Sequence, residues 1–175
     1  ILDPHAADAQ AFAAVIEQLG GVRVEDRILL VNPSFAEFQD GLRRIRAQVQ
    51  AAVADPLAGG GRCELIVYYS GHADDEGLLL GRERFSYSRL RREVSEVEAD
   101  VRIAVVDSCS SGSLTRSKGG SRRPAFVFDS STEMKGYAFL TSSSEDEVAQ
   151  ESDRIGGSFF THFLVSGLRG AADAN

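Results

Sequence analysis

The stretch that decides the fold is "RIAVVDSCSSGSL", residues 102–114. An apolar run from Ile103 to Val106 stops at Asp107, and Cys109, Ser110, Ser111 and Gly112 follow. The run is continuous rather than alternating, which suits a strand covered on both faces, as in a parallel sheet between helices. A strand needs none of what comes next. A carboxylate, a thiol and a flexible polar turn at a strand tip point to chemistry there, since sites in open α/β sheets collect beyond the carboxyl ends of the strands.

"CELIVYYS" (63–70) is a second run of the same kind, and its exit, "GHADDE", delivers His72. Neighbouring parallel strands would bring His72 and Cys109 to one sheet edge. A thiol is a good nucleophile as thiolate, and a nearby imidazole supplies or stabilises that state. Gly71 and Gly112 allow sharp turns, and backbone N–H groups near the thiol can hold an oxyanion.

The rest of the chain alternates strand and helix. Asp3-Pro4 starts a helix, with Asp as cap and Pro at its first position. Ala9, Phe12, Ile16 and Leu19 follow at helical spacing up to Gly20-Gly21. "RILLV" (27–31) reads as a buried strand closed by Asn32-Pro33. Ser34 and Glu37 form a capping box for a helix carrying Phe38, Leu42, Ile45, Val49 and Val53. "GLLLGRERFSY" (77–87) suits a hairpin turning near Gly81. Leu90, Val94 and Val97 share a helical face, "GYAFLTSS" (136–143) reads as a strand, and Ser158 caps a last helix with Phe160, Phe163, Leu164 and Leu168 on its face. The pattern predicts an α/β layer fold around a mostly parallel sheet.

Composition bounds the function. The chain has 175 residues, 43% hydrophobic and 26% charged, enough for one domain with a proper core. Net charge is −7, which argues against nucleic acid as main partner. No apolar run approaches the roughly 20 residues of a membrane span, and no membrane partner is expected. Two cysteines, Cys63 and Cys109, make neither a disulfide framework nor a zinc set. Free thiols in a reducing compartment, hence a cytoplasmic location, are the simpler expectation. The first residue is Ile1 and no stop signal closes "LRGAADAN", so the chain reads as a piece of something longer. Arg outnumbers Lys 17 to 2, a bias that suits a GC-rich bacterial genome.

Plainer readings apply elsewhere. A lone His is more often surface or structural, and His5 and His162 are read so. Cys63 reads as a small buried hydrophobe. The acidic stretches "ADDE" (73–76) and "EDE" (145–147) read as solvated loops rather than metal sites. "GGG" (59–61) lacks the ending of a phosphate loop, and no nucleophile elbow is present.

Taken together, "YYSGHADD", "DSCSSG", "HAADAQAF" and "GYAFLTSSSEDEVAQES…GGSFFTHFLVSGLRGAAD" resemble the motifs of the caspase-like cysteine peptidases, most closely the metacaspase or bacterial caspase-homologue branch. The match runs in order over nearly the whole chain. The resemblance implies a three-layer α/β/α sandwich as a single domain over residues 1–175, without that family's first core strand, whose place lies just before Ile1, and without its C-terminal end. It implies Cys109 as nucleophile, His72 as acid/base, and the backbone N–H groups of Ala73 and Cys109 as oxyanion donors. It also implies Asp8, Ser70 and Asp107 as a pocket for Arg or Lys before the scissile bond. Ala73 stands where Gly is usual, Ala7 where Asn is usual, and Ser110 where many members have His. Some metacaspases need calcium, but no ligand set stands out here and no cofactor is expected.

The expected function is therefore an Arg- or Lys-specific cysteine endopeptidase acting on protein or peptide substrates, regulatory, and paired with an activating protease or regulatory domain. The long Ser-, Gly- and Arg-rich segment at 110–135 offers Arg116, Lys118, Arg122 and Arg123 as processing sites. Two alternatives stay open. A non-catalytic scaffold of this family needs no Cys–His pair, and a thiol hydrolase of small molecules needs no Asp107.

Overall fold

A computed structural model describes residues 3–54, 61–108, 136–142, 151–152 and 157–171. Cys109, the segment 110–135 with Arg116, Lys118, Arg122 and Arg123, most of the "DPLAGGGR" loop and the acidic stretch at 145–147 lie outside the described residues.

The local signals act as read. Helix α1 spans Pro4–Leu19; the Asp3 carboxylate accepts the His5 N–H at 3.0 Å, and Gly20 closes the helix by donating to the Ile16 carbonyl. Helix α2 spans Phe35–Ala54. Ahead of it, Ser34 and Glu37 bond reciprocally: Ser34 N–H donates to Glu37 Oε2 at 2.8 Å and Glu37 N–H to Ser34 Oγ at 3.3 Å.

Strand β1 is Glu64–Ser70, with the short β2 (Ala73–Asp74), β3 (Gly77–Leu80) and β4 (Glu83–Ser86) after it, then helix α3 (Tyr87–Ser95) and strand β5 (Val101–Asp107). Strand β6 is Gly136–Thr141, and β7 (Glu151–Ser152) pairs with β8 (Gly157–Ser158) ahead of helix α4, Phe159–Ser166. The central sheet has the order β1-β5-β6 and is parallel throughout. Strands β2, β3 and β4 form a separate antiparallel sheet that turns at Gly81, where φ is +63°. Asp74 of "ADDE" serves the other turn, between β2 and β3: it accepts the N–H groups of Glu76 and Gly77 and pairs with Arg84 on β4.

Alternation along β1 and β5 divides the core. Leu65, Val67, Tyr69 and Val106 join Phe38 and Val49 of α2, Phe85 of the hairpin, and Leu90 and Val94 of α3. On the opposite face Tyr68 stacks on Phe12 of α1, ring centroids 4.3 Å apart, and α4 packs beside α1. Helices thus cover both faces, the α/β arrangement expected.

Two expectations need correction. Residues 27–31 do not form a strand; Leu29 and Val31 are exposed. Among the described residues strand β1 is the edge of its sheet, and a cavity of about 1410 Å³ lies between it and this segment, lined by Phe12, Leu30, Val49, Ile66 and Tyr68 among others. Ladder bonds need a neighbour at about 4.8 Å, and the described residues put none there. Helix α4 also turns a different face inward. Of the residues expected on its apolar face, Phe163 is exposed at 67%, Phe160 and Leu164 are half-buried, and Leu168 lies beyond the helix, in the turn Gly167–Ala171, 45% exposed, whereas Thr161 and Val165 are buried. Its inward side carries the Thr161 hydroxyl, which donates to Asp107.

Candidate active site

Register brings the two decisive strand ends together. Strands β1 and β5 pair from Glu64 opposite Val101 to Ser70 opposite Asp107. Pairing continues one step further, with Gly71 N–H donating to the Asp107 carbonyl at 3.1 Å. On the other side, the Ser142 hydroxyl beyond β6 accepts the Ser108 N–H at 2.9 Å and donates to the Ser108 carbonyl at 3.1 Å. The backbone leading into Cys109 is therefore clamped from both neighbouring strands.

Side chains of even-numbered β1 residues and odd-numbered β5 residues face α1 and α4, so Ser70 and Asp107 look the same way. Asp8 on α1 and Ser158 at the N-cap of α4 meet them there. Asp107 Oδ2 accepts the Thr161 hydroxyl at 2.6 Å and the Ser158 hydroxyl. The Asp8 carboxylate accepts the Ser158 N–H at 3.1 and 3.2 Å and the Ser70 hydroxyl at 3.2 Å. Tyr68 reaches Thr161 Oγ1 from β1, and burial pushes its phenol up, so the hydroxyl stays protonated. Gly157 belongs here as well: a Cβ at that position would collide with the Asp8 carboxylate.

Asp8 and Asp107 are 5% and 2% exposed. Isolated buried carboxylates are costly, and these two lie close enough to repel. Burial raises the Asp8 carboxyl, the Ser158 N–H bond opposes that, and the charge of Asp107 raises it further. Hydroxyls, the positive end of α4 and, for Asp8, the nearby His5 ease the charge. Arg102 does not help; its Nε donates to the Val97 carbonyl. Among the described residues no Lys or Arg pairs with Asp8 or Asp107. The arrangement is a two-carboxylate cradle suited to a cation.

His72 is exposed, on the turn between β1 and the hairpin. Its carbonyl accepts the Tyr69 hydroxyl at 2.7 Å and the Leu79 N–H at 2.8 Å. That second bond makes Ala73 and Leu78 a non-hydrogen-bonded pair, so the hairpin ladder does not use the Ala73 N–H. Ala73 also sits outside the left-handed region, so Ala fits where Gly is usual without backbone strain. His5 lies beside His72, and His162 is on the surface next to Phe163.

Sequence reasoning missed Ser158 and Thr161 as parts of this cluster, together with Tyr69, Ser142 and His5. One signal was available: Thr161 is a polar residue in a mostly apolar helix, three positions after a serine cap. Among the described residues no helix is long and apolar enough to cross a membrane, and no three His, Cys, Asp or Glu side chains form a metal-binding group.

In comparison with known families, the caspase domain model (peptidase C14) matches residues 2–175. No curated protein matches the chain.

Proposed function

We propose, for a chain that belongs to the caspase domain family of cysteine peptidases, an endopeptidase that cuts after Arg, and less well after Lys. Its nucleophile is Cys109 and its acid/base is His72. The observation that carries this reading is the buried pair Asp8 and Asp107, which no Lys or Arg among the described residues neutralises, at the sheet edge where Ser70 pairs with Asp107, two positions before His72 and Cys109 in the sequence.

In this mechanism the substrate's guanidinium enters between the two carboxylates. Arg engages carboxylates in a bidentate, charge-assisted geometry, whereas Lys offers a point charge. The Cys109 thiolate attacks the scissile carbonyl carbon, a C–S bond forms, and the carbonyl electron pair moves to oxygen. The N–H groups of Ala73 and Cys109 receive that charge. His72 gives its proton to the leaving amine as the C–N bond breaks, then takes a proton from the water that hydrolyses the thioester. Because burial raises the Asp8 carboxyl, a protonated pocket weakens cation binding at low pH. Arginyl substrates bind better as pH rises through the Asp8 titration.

A fluorogenic peptide panel that varies only the residue before the cut tests the reading. Arg should lead, Lys should follow and Asp should be rejected by like charge. A peptidic arginyl chloromethylketone should label the protein, and prior alkylation should block it. Labelling without Arg preference would favour a thiol hydrolase of small molecules; neither cleavage nor labelling would favour a scaffold.

Processing gives a second expected result. Active protein should carry a cut after Arg116, Lys118, Arg122 or Arg123, made by the protein itself or by an upstream protease, since Ser- and Gly-rich connecting segments are preferred nicking sites. Intact-mass spectrometry reads this directly. Fully active protein with residues 110–135 uncut would remove processing as a requirement.

A further inference from the structure

His5 carries no role in the sequence reading, yet the fold builds it into the constellation. Its backbone is fixed on the first turn of α1, where the Asp3 carboxylate holds its N–H. Its Nδ1 lies 3.3 Å from Ser70 Oγ, and the Ser70 hydroxyl donates to Asp8 Oδ2 at 3.2 Å. A hydroxyl has one proton. With that proton on Asp8, Ser70 Oγ is the acceptor toward His5, and Nδ1 is the donor. On its other side the His5 ring meets the His72 ring edge-on, centroids 5.0 Å apart. The bonds that Tyr69 and Leu79 make to His72 reach only its carbonyl. They fix the backbone and leave the ring to its neighbours.

We infer that His5 is a positioning residue: its imidazole seats the His72 ring, and the relay through Ser70 to Asp8 links that seat to occupancy of the carboxylate pocket. This rests on the peptidase reading above. A guanidinium bound at Asp8 competes for the oxygen that holds the Ser70 proton. The Ser70–His5 bond then readjusts, and with it the ring against which His72 packs. A cation in the pocket and a correctly aimed acid/base become one linked event, which favours substrates that carry the cation. Misplacement of a reacting group by about 1 Å costs on the order of 100-fold in rate, so a seat of this kind has a measurable effect.

The test uses the whole chain, with Nα-acetyl-arginine amide as pocket ligand and iodoacetamide as probe of Cys109. In the wild type, the ligand should change the alkylation rate. His5→Ala should lose that response and lower kcat on an arginyl peptide by about 10- to 100-fold, with KM moving much less. His5→Gln keeps a side-chain N–H for Ser70 and should recover most of kcat. Thermal unfolding should show all three proteins folded. The inference is overturned if His5→Ala keeps both kcat and the ligand response, if His5→Gln is no better than His5→Ala, or if wild-type alkylation ignores the ligand. Failure of the peptidase reading shows separately, in a wild-type protein that does not cut arginyl peptides at all.

Discussion

Cys109→Ala should abolish peptide hydrolysis, and His72→Ala should cost nearly as much, each lowering turnover by about 10⁴- to 10⁶-fold because members of a catalytic unit act non-additively. The double variant should be no worse than either single one. Neither change should unfold the protein. His72 is exposed, and its backbone is held by Tyr69 and Leu79, which the substitution leaves in place. The strand before Cys109 is secured by Gly71 on one side and by Ser142 on the other. Steady-state hydrolysis of an arginyl substrate, with thermal melts as control, measures both claims. Hydrolysis surviving in contaminant-free Cys109→Ala protein would sink the assignment of the nucleophile.

The sheet was legible because its strands are buried on both faces. "CELIVYYS" and "RIAVVD" could be read as parallel neighbours without knowing what covers them. "RILLV" looks the same by composition but is not a strand, because strand formation depends on a neighbour and composition does not report one. The helix starts were legible for a local reason: Asp3 and the pair Ser34 and Glu37 cap through bonds within a few residues. The pocket was legible only in part. Asp107 stood out as a charge ending an apolar run. Its partners Ser158 and Thr161 come from more than fifty positions away; a polar Thr161 among apolar neighbours marks a hydroxyl that seeks a partner, but nothing local says that the partner is Asp107. The inward face of α4 is hidden for the same reason: hydrophobic spacing points to Phe163, which is exposed, while Thr161 is buried with its hydroxyl on Asp107. In the sequence His5 is a solitary histidine, and its contacts exist only once the fold brings Ser70 and His72 beside it.

Asp107→Asn should collapse cleavage after Arg while leaving alkylation of Cys109 by iodoacetamide nearly unchanged. Asp107 is 2% exposed, and two hydroxyls donate to one of its oxygens. The amide oxygen of Asn can accept both hydroxyls in the same way. The substitution therefore keeps the local hydrogen bonds and the rotation of α4, and it removes the charge. If Asp107 were only a strand cap, losing the charge would cost little, and it would relieve the repulsion that helps raise Asp8. The variant would then be as stable as the wild type or more so, with unchanged activity. If the charge serves the substrate's guanidinium, removing one partner of such a buried pair costs about 3–5 kcal/mol, roughly two to four orders of magnitude in kcat/KM. The loss should be larger for Arg than for Lys, because Lys never made the bidentate contact. Small-reagent alkylation of Cys109 needs no cation in the pocket and should stay near its wild-type rate. Cleavage of arginyl peptides by the variant at wild-type efficiency would make Asp107 a structural cap held by Ser158 and Thr161, and the specificity would have to be sought elsewhere.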